Sequence, residues 1–439
     1  MKLDLKINRI KIENFLVFLF FLVLPFEKRH IFFNFGYQFA DFSAISIYAS
    51  DIIAVALLII AFSRKNYLKT FFKQKIFLIM LAFLLFETMI SPHGTFTYYS
   101  EVKWLELILI FGYFAVSEVS YATILKSISV SGFFQALVGM AQFIKQRSVG
   151  LSLLGEVHIS PMTVGIAKIA TKSGVLIRSY GTFAHANQLA AFISVTCATT
   201  IILLLKENER FQKMFYVLVI FLLILGELLS FSRAGWGALL IILLFTLFYS
   251  RETNPRPEGY KSKVILIVLA TIIAAGLVWP LLVNRAKLND PSVISRIYYD
   301  QVGLKVFEKQ PLFGVGLGGL MPAVAKVENV SQNWQVQPPH NFFIDVACET
   351  GVFGLAIILF VFGKLIYDLI KRFKKGDRET RLFKIFLFCT FLAFIFLMQF
   401  DHYFYTLQQT QLLLWAILGI ICGTVFRETN KEILTAKGL

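Results

Sequence analysis

The chain has 439 residues, of which 57% are hydrophobic and only 16% charged, and its mean hydropathy is +0.70. A soluble domain averages roughly 45–50% apolar and 25% charged residues, so disordered, collagenous and disulfide-stapled secreted chains are excluded and a soluble enzyme nearly so. The excess of 43 Lys and Arg over 27 Asp and Glu, a net charge of +16, therefore concerns the two sides of a membrane rather than a nucleic acid.

In chain order, a basic start (Lys2, Lys6, Arg9, Lys11) runs into apolar sequence and then Pro25 with no small-residue cleavage site. That pattern predicts an uncleaved first span. Apolar stretches of roughly 17–25 residues suit a span. They place spans near 12–26, 43–62, 76–92, 104–118, 122–144, 187–205, 213–231, 234–249, 264–283, 342–370, 384–400 and 408–426. The expected fold is thus an all-α polytopic membrane protein of about twelve transmembrane helices, forming one integral membrane domain over 1–439.

Most of the Lys and Arg, including the cluster Lys371-Arg372-Phe373-Lys374-Lys375, fall in inner loops if both termini are cytoplasmic, as the positive-inside rule requires. Two long outward segments follow, 145–186 and 284–341, the second containing an amphipathic helix around 295–309. Long loops of this kind are usually functional. All six histidines fall on the outer side of this topology, which argues for an outward-facing polar site. The four cysteines are dispersed in or beside apolar runs, with no C-x-x-C or Cys/His cluster, and read as small buried hydrophobes.

Three patterns carry chemistry. Pro339-His340-Asn341, nine residues, then Gly351-Val-Phe-Gly354 stands where the second long loop enters the tenth span. An imidazole titrates near about 6.5 and can take a proton from a hydroxyl. On the residues alone, His340 equally suits a helix cap, and the two glycines, three apart, suit close helix packing on one face. Arginines form the second pattern: Arg178 ahead of Ser179-Tyr-Gly-Thr-Phe-Ala-His185-Ala-Asn187, Arg233 in Ser232-Arg-Ala-Gly-Trp236, and Arg296 ahead of Pro311-Leu-Phe-Gly-Val-Gly-Leu-Gly318. Guanidinium forks match phosphate oxygens bidentately, although interfacial snorkelling is the commoner fate of a single arginine. The third is Asp401-His402-Tyr403 in the turn before the last span. There an acid could orient a histidine or an arginine, and the tyrosine could stack on a sugar or sit in an aromatic belt. No P-loop, H-E-x-x-H or G-x-S-x-G occurs, which removes ATP hydrolysis and the commonest zinc and serine hydrolase chemistries.

Together these ordered motifs, spread over 178–405, resemble the bacterial O-antigen ligase and polymerase superfamily. The resemblance implies a glycosyltransferase of the GT-C type in the inner membrane, taking glycan from an undecaprenyl-diphosphate carrier at the outer face. The acceptor would be a lipid, glycan or protein, and the reaction would need no metal, nucleotide or other cofactor. By motif position, His340, Arg233, Arg296 and Asp401 fall on the family's catalytic positions. Arg178, His185, Asn187, Asn341, His402 and Tyr403 lie in or beside its motifs and are expected to bind diphosphate or glycan. Ala-His185-Ala-Asn187 departs from the commoner run and leaves the role of His185 open. A repeat-unit polymerase is the nearest alternative. A flippase for lipid-linked glycans is the alternative of another class, disfavoured because transporters gather polar groups at mid-membrane.

Overall fold

The computed structural model describes residues 2–34, 44–64, 67–171, 174–253, 256–285, 291–328 and 336–436. Among these are sixteen α-helices and four short strands. The strands form two antiparallel hairpins, Arg29–Asn34 with Ala44–Tyr48 and Lys168–Thr171 with Gly174–Ile177. The expected all-helical fold is corrected to that extent. Positions 286–290 and 329–335 of the second long segment, and position 43 of the second expected span, lie outside the described residues.

Eight helices are long and apolar enough to cross a membrane. They coincide, within a few residues, with the expected spans five to twelve. At the first of the four N-terminal expectations the structure has the helix Lys2–Val23; the second is corrected by local chemistry. Ala44-Ile-Ser-Ile-Tyr48 alternates between buried and more open positions and folds as a strand, since period two is the sheet's repeat. The helix behind it, Ala49–Phe62, keeps only 14 residues, about 21 Å, short of a bilayer's hydrocarbon core. Lys75–Ile90 has 16 residues. Thr95–Val116 is long enough, but carries Glu101, Lys103 and Glu106 in its first half.

The chain divides into two compact units. The first comprises 1–28, 118–287 and 372–397 and holds six of the eight candidate spans. Its centre is Ala186–Lys206, whose apolar window is entirely buried, whereas the window of Tyr260–Val283 is only 22% buried and presents apolar side chains outward. An apolar helix with an apolar outer face suits lipid contact. Small hydroxyls tie the central helix to its neighbours: Ser129 and Thr199 are 2.9 Å apart, and Ser194 donates to Glu227 at 2.7 Å. Hydroxyl contacts of this kind are a usual means of joining helices in membranes. At the other end of that helix, Lys263 and Arg378 both donate to the Leu205 carbonyl, at 3.2 and 3.0 Å. Two basic residues that mark the inner side in the sequence thus also cap a helix C-terminus.

The second unit comprises 29–117, 288–371 and 398–439. It contains the spans Phe342–Lys371 and Gln408–Glu428 and the outer helix Pro291–Lys309. The long span is broken: Gly351 has φ 63° and ψ −168°, a backbone conformation favoured by glycine. Into the break runs the glycine-rich loop after Pro311. Val315 and Gly316 donate to the carbonyls of Cys348 and Glu349 at 2.9 Å, and Val352 and Phe353 donate to those of Pro311 and Leu312 at 2.8 and 3.3 Å. Freed backbone groups are thereby paired within protein, the condition for irregular backbone at membrane depth. A Cβ at Gly351 would stand 2.2 Å from the Leu312 carbonyl oxygen. The two glycines of the histidine motif therefore do not share one helix face. Gly351 makes the joint, and only Gly354 lies close to a neighbouring helix, through Phe83.

Candidate active site

One end of the second unit brings five of the expected residues together: Asn341, His340, Asp401, His402 and Arg296. Asn341 begins the arrangement: its Oδ1 accepts from the backbone N–H groups of Phe343 at 2.9 Å and Ile344 at 3.3 Å. This is helix capping, and Asn341 also donates to the Gln399 carbonyl. The cap is thus Asn341 rather than His340, which closes the structural alternative left open by the sequence.

His340 is held by its backbone, whose N–H donates to Asp300 Oδ1 at 2.7 Å. Its half-buried ring stacks on His402, with centroids 5.1 Å apart and planes inclined by 12°. Asp401 lies at the focus of the group. Its carboxylate is 3.9 Å from His340 Nδ1, 3.8 Å from His402 Nε2 and 3.5 Å from the Arg296 guanidinium. His402 Nδ1 in turn meets Thr406 Oγ1 at 2.6 Å. One carboxylate thus faces two imidazoles and a guanidinium, an arrangement that can orient a base and balance charge. Tyr403, by contrast, is buried beneath this surface with its ring against Phe404.

Close approach depends on Gly303, where a Cβ would come within 2.3 Å of the Pro339 ring. Only a glycine there lets Pro291–Lys309 lie near enough for Asp300 to reach the His340 backbone. Asp300 was not singled out from the sequence. Its i, i+4 spacing from Arg296 was the available signal. Burial pushes its carboxyl up to about 6; the His340 N–H and Arg296 oppose that rise, and Asp401 adds to it. Asp345 and Glu349, one turn apart on the same short helical segment, were also passed over. Glu349 accepts from Tyr405 at 2.7 Å and from the Leu320 N–H at 3.2 Å. Asp345 is fully buried, with no hydrogen-bond partner for either oxygen among the described residues. Buried acids in a span are costly and usually functional.

His340, Asp401 and His402 offer three possible metal-ligand atoms, all within 4.8 Å of one another. Two imidazoles and a carboxylate suit a first-row divalent ion, so a cation at this point is chemically feasible and is tested below.

The remaining expected residues lie in the first unit. Arg178 is buried, its guanidinium donating to the Ser230 carbonyl and, at 2.6 Å, to Asn187 Oδ1. It holds the 178–187 loop against the turn before Arg233. His185 caps Ala186–Lys206: its Nδ1 accepts from the Asn187 N–H at 3.1 Å, and Gln188 Oε1 accepts from the His185 N–H at 3.2 Å. That reciprocal pair is a capping box and gives His185 a local role. Arg233 opens the helix Arg233–Arg251 behind Ser232, whose Oγ accepts from Gly235. The turn before it is tight enough to hold Phe231 at φ 49°. Arg285, not singled out from the sequence, donates to the Phe231 carbonyl at 3.4 Å.

Residues 218–359 match the family model of the O-antigen ligases. This segment is similar to the O-antigen ligases. The match takes in Arg233, Arg296 and His340 and ends before Asp401 and His402. A comparison with curated proteins finds no match. With eight candidate spans, the chain is a multi-pass membrane protein with a segment that matches the O-antigen ligase family model.

Proposed function

We propose that this protein is an inner-membrane glycosyltransferase that moves a glycan from an undecaprenyl-diphosphate carrier to an acceptor hydroxyl at the outer face. The observation that carries the reading is the convergence of His340, Arg296 and Asp401, with helix capping assigned to Asn341. The new glycosidic bond forms between the acceptor oxygen and the anomeric carbon as the carbon–phosphate oxygen bond breaks. The diphosphate leaves with the electron pair, and His340 takes the acceptor proton. Asp401 orients His340 and Arg296. Arg296, and by the family resemblance Arg233, neutralise charge developing on the diphosphate; such preorganised stabilisation is usually the largest catalytic effect. An anionic leaving group needs no protonated carboxyl partner, unlike glycoside hydrolysis. The transfer is of the ligase type, moving finished glycan to a lipid, glycan or protein acceptor rather than to another carrier-linked repeat.

The direct test is transfer from purified undecaprenyl-diphosphate glycan by the detergent-solubilised protein, with EDTA present and nucleotide omitted. Turnover supports the reading. Activity that vanishes with EDTA and returns with a divalent ion would instead make His340, Asp401 and His402 a metal site. Orientation is checked separately: Met162→Cys and Lys375→Cys are expected to react with a membrane-impermeant thiol reagent from opposite sides, Met162 from the outside. The native cysteines are all buried and free, which keeps background labelling low. Same-side reaction would overturn the topology.

A further inference from the structure

The second unit contains an open cleft between Thr95–Val116, the glycine-rich loop and the start of Gln408–Ala436. Tyr48, Tyr99, Trp104 and Tyr405 contribute aromatic walls, while Ser100, Thr406 and Gln411 contribute hydrogen-bonding groups. Ligand sites commonly combine aromatic walls with a few polar groups that fix orientation.

Charge decides which ligand suits it. Among the described residues Lys103 is the one cation on the cleft wall, and it is already paired with Asp51 at 2.5 Å and Glu106 at 3.2 Å. Gln408 donates to both of those acids, at 2.6 and 3.3 Å, and Glu349 adds a further carboxylate to the wall. A phosphate would meet more negative than positive charge here. An acyl chain would lay apolar surface against Lys103 and Glu349, at a desolvation cost. A neutral ring with apolar C–H faces and a rim of hydroxyls satisfies both parts of the lining. The cleft also adjoins the candidate active site, because Thr406 on its wall is the hydroxyl that meets His402 Nδ1 at 2.6 Å.

We infer that this cleft is a glycan subsite that seats one neutral pyranose ring beside the His340–Asp401–His402 group. The inference rests on the glycosyltransferase reading for its role, but not for its ligand chemistry. The ring belongs either to the donor glycan or to the acceptor, and kinetics separate the two. Ser100→Phe fills the cleft from one wall; Met321→Phe, from the wall formed by the helix after the glycine loop, covers the case in which the first variant does not fold. In a folded filled variant, KM for one of the two glycan substrates should rise at least tenfold, with a smaller change in kcat and in KM for the other. The substrate affected identifies the ring's source.

Binding is read independently of turnover by intrinsic tryptophan fluorescence, with Trp104 in the cleft wall as reporter. The probes are methyl glycosides of glucose, galactose, mannose and N-acetylglucosamine. A saturable change with at least one of them, lost in the filled variant, is expected. Unchanged KM values for both substrates in a folded filled variant, or no saturable change with any of the four, would overturn the subsite. Absence of all transfer by the unaltered protein would instead count against the glycosyltransferase reading, and the fluorescence titration would still decide whether the cleft binds a sugar.

Discussion

His340→Asn and His340→Ala are each expected to lower glycan transfer by roughly 10²–10⁴-fold, the usual contribution of a positioned proton acceptor, while leaving expression and thermal stability close to normal. The structure separates this from a packing effect because the neighbouring side chain does the capping. Asn341→Ala removes the acceptor for Phe343 and Ile344, and should cost about 1 kcal/mol of stability. Rate loss at one position and stability loss at the next would be the signature of divided roles. An asparagine variant at 340 with normal transfer would refute the proton-accepting assignment. Asp401 would then remain as the partner of Arg296 and His402.

Arg296→Lys tests the other half of the site. Lysine keeps the charge but loses the planar fork, which faces Asp401 here and suits a diphosphate on its second edge. Charge-assisted hydrogen bonds contribute about 1.5–3 kcal/mol, so transfer should fall by about 10- to 150-fold. Membrane insertion should be unaltered, because the charge is conserved. Arg233→Lys is expected to behave likewise if it also binds the diphosphate. Near-normal transfer by both lysine variants would identify the two arginines as ordinary interfacial charges and remove the electrostatic basis of the mechanism.

How much of this was legible in the sequence depended on the range of the interaction. Spans five to twelve were readable because long apolar runs report their own environment. The N-terminal region was harder: Ala44–Tyr48 is apolar enough to extend a span on paper, yet its alternation makes it a strand. His340, Arg296, Asp401 and His402 could be chosen from residue type and motif, and they meet in one unit. Arg178 and His185 were chosen by the same criteria, but their polar atoms serve local structure. Residue type shows what a side chain can bind, whereas only the fold shows what it is already bound to. Asp300 escaped notice for the opposite reason. Its importance comes from a contact 40 positions away in the chain, which no local pattern announces. The glycine of the histidine motif was read as a packing residue because a break in an apolar run has no hydropathy signature.

That break has a mechanical consequence. Below the joint, Val352–Lys371 measures about 30 Å, by itself the thickness of a typical hydrocarbon core. Membranes of different thickness change the tilt of such a rod, and in an unbroken helix that rotation would be delivered directly to His340. Here the outer piece is bonded to the loop after Pro311 and, through Glu349, to Tyr405. Val352 and Phe353, at the head of the lower rod, are bonded to the same loop, so the joint is braced from both sides. The angle at which the piece carrying His340 stands on the rod below it is thereby set by backbone hydrogen bonds to the loop rather than by helix continuity.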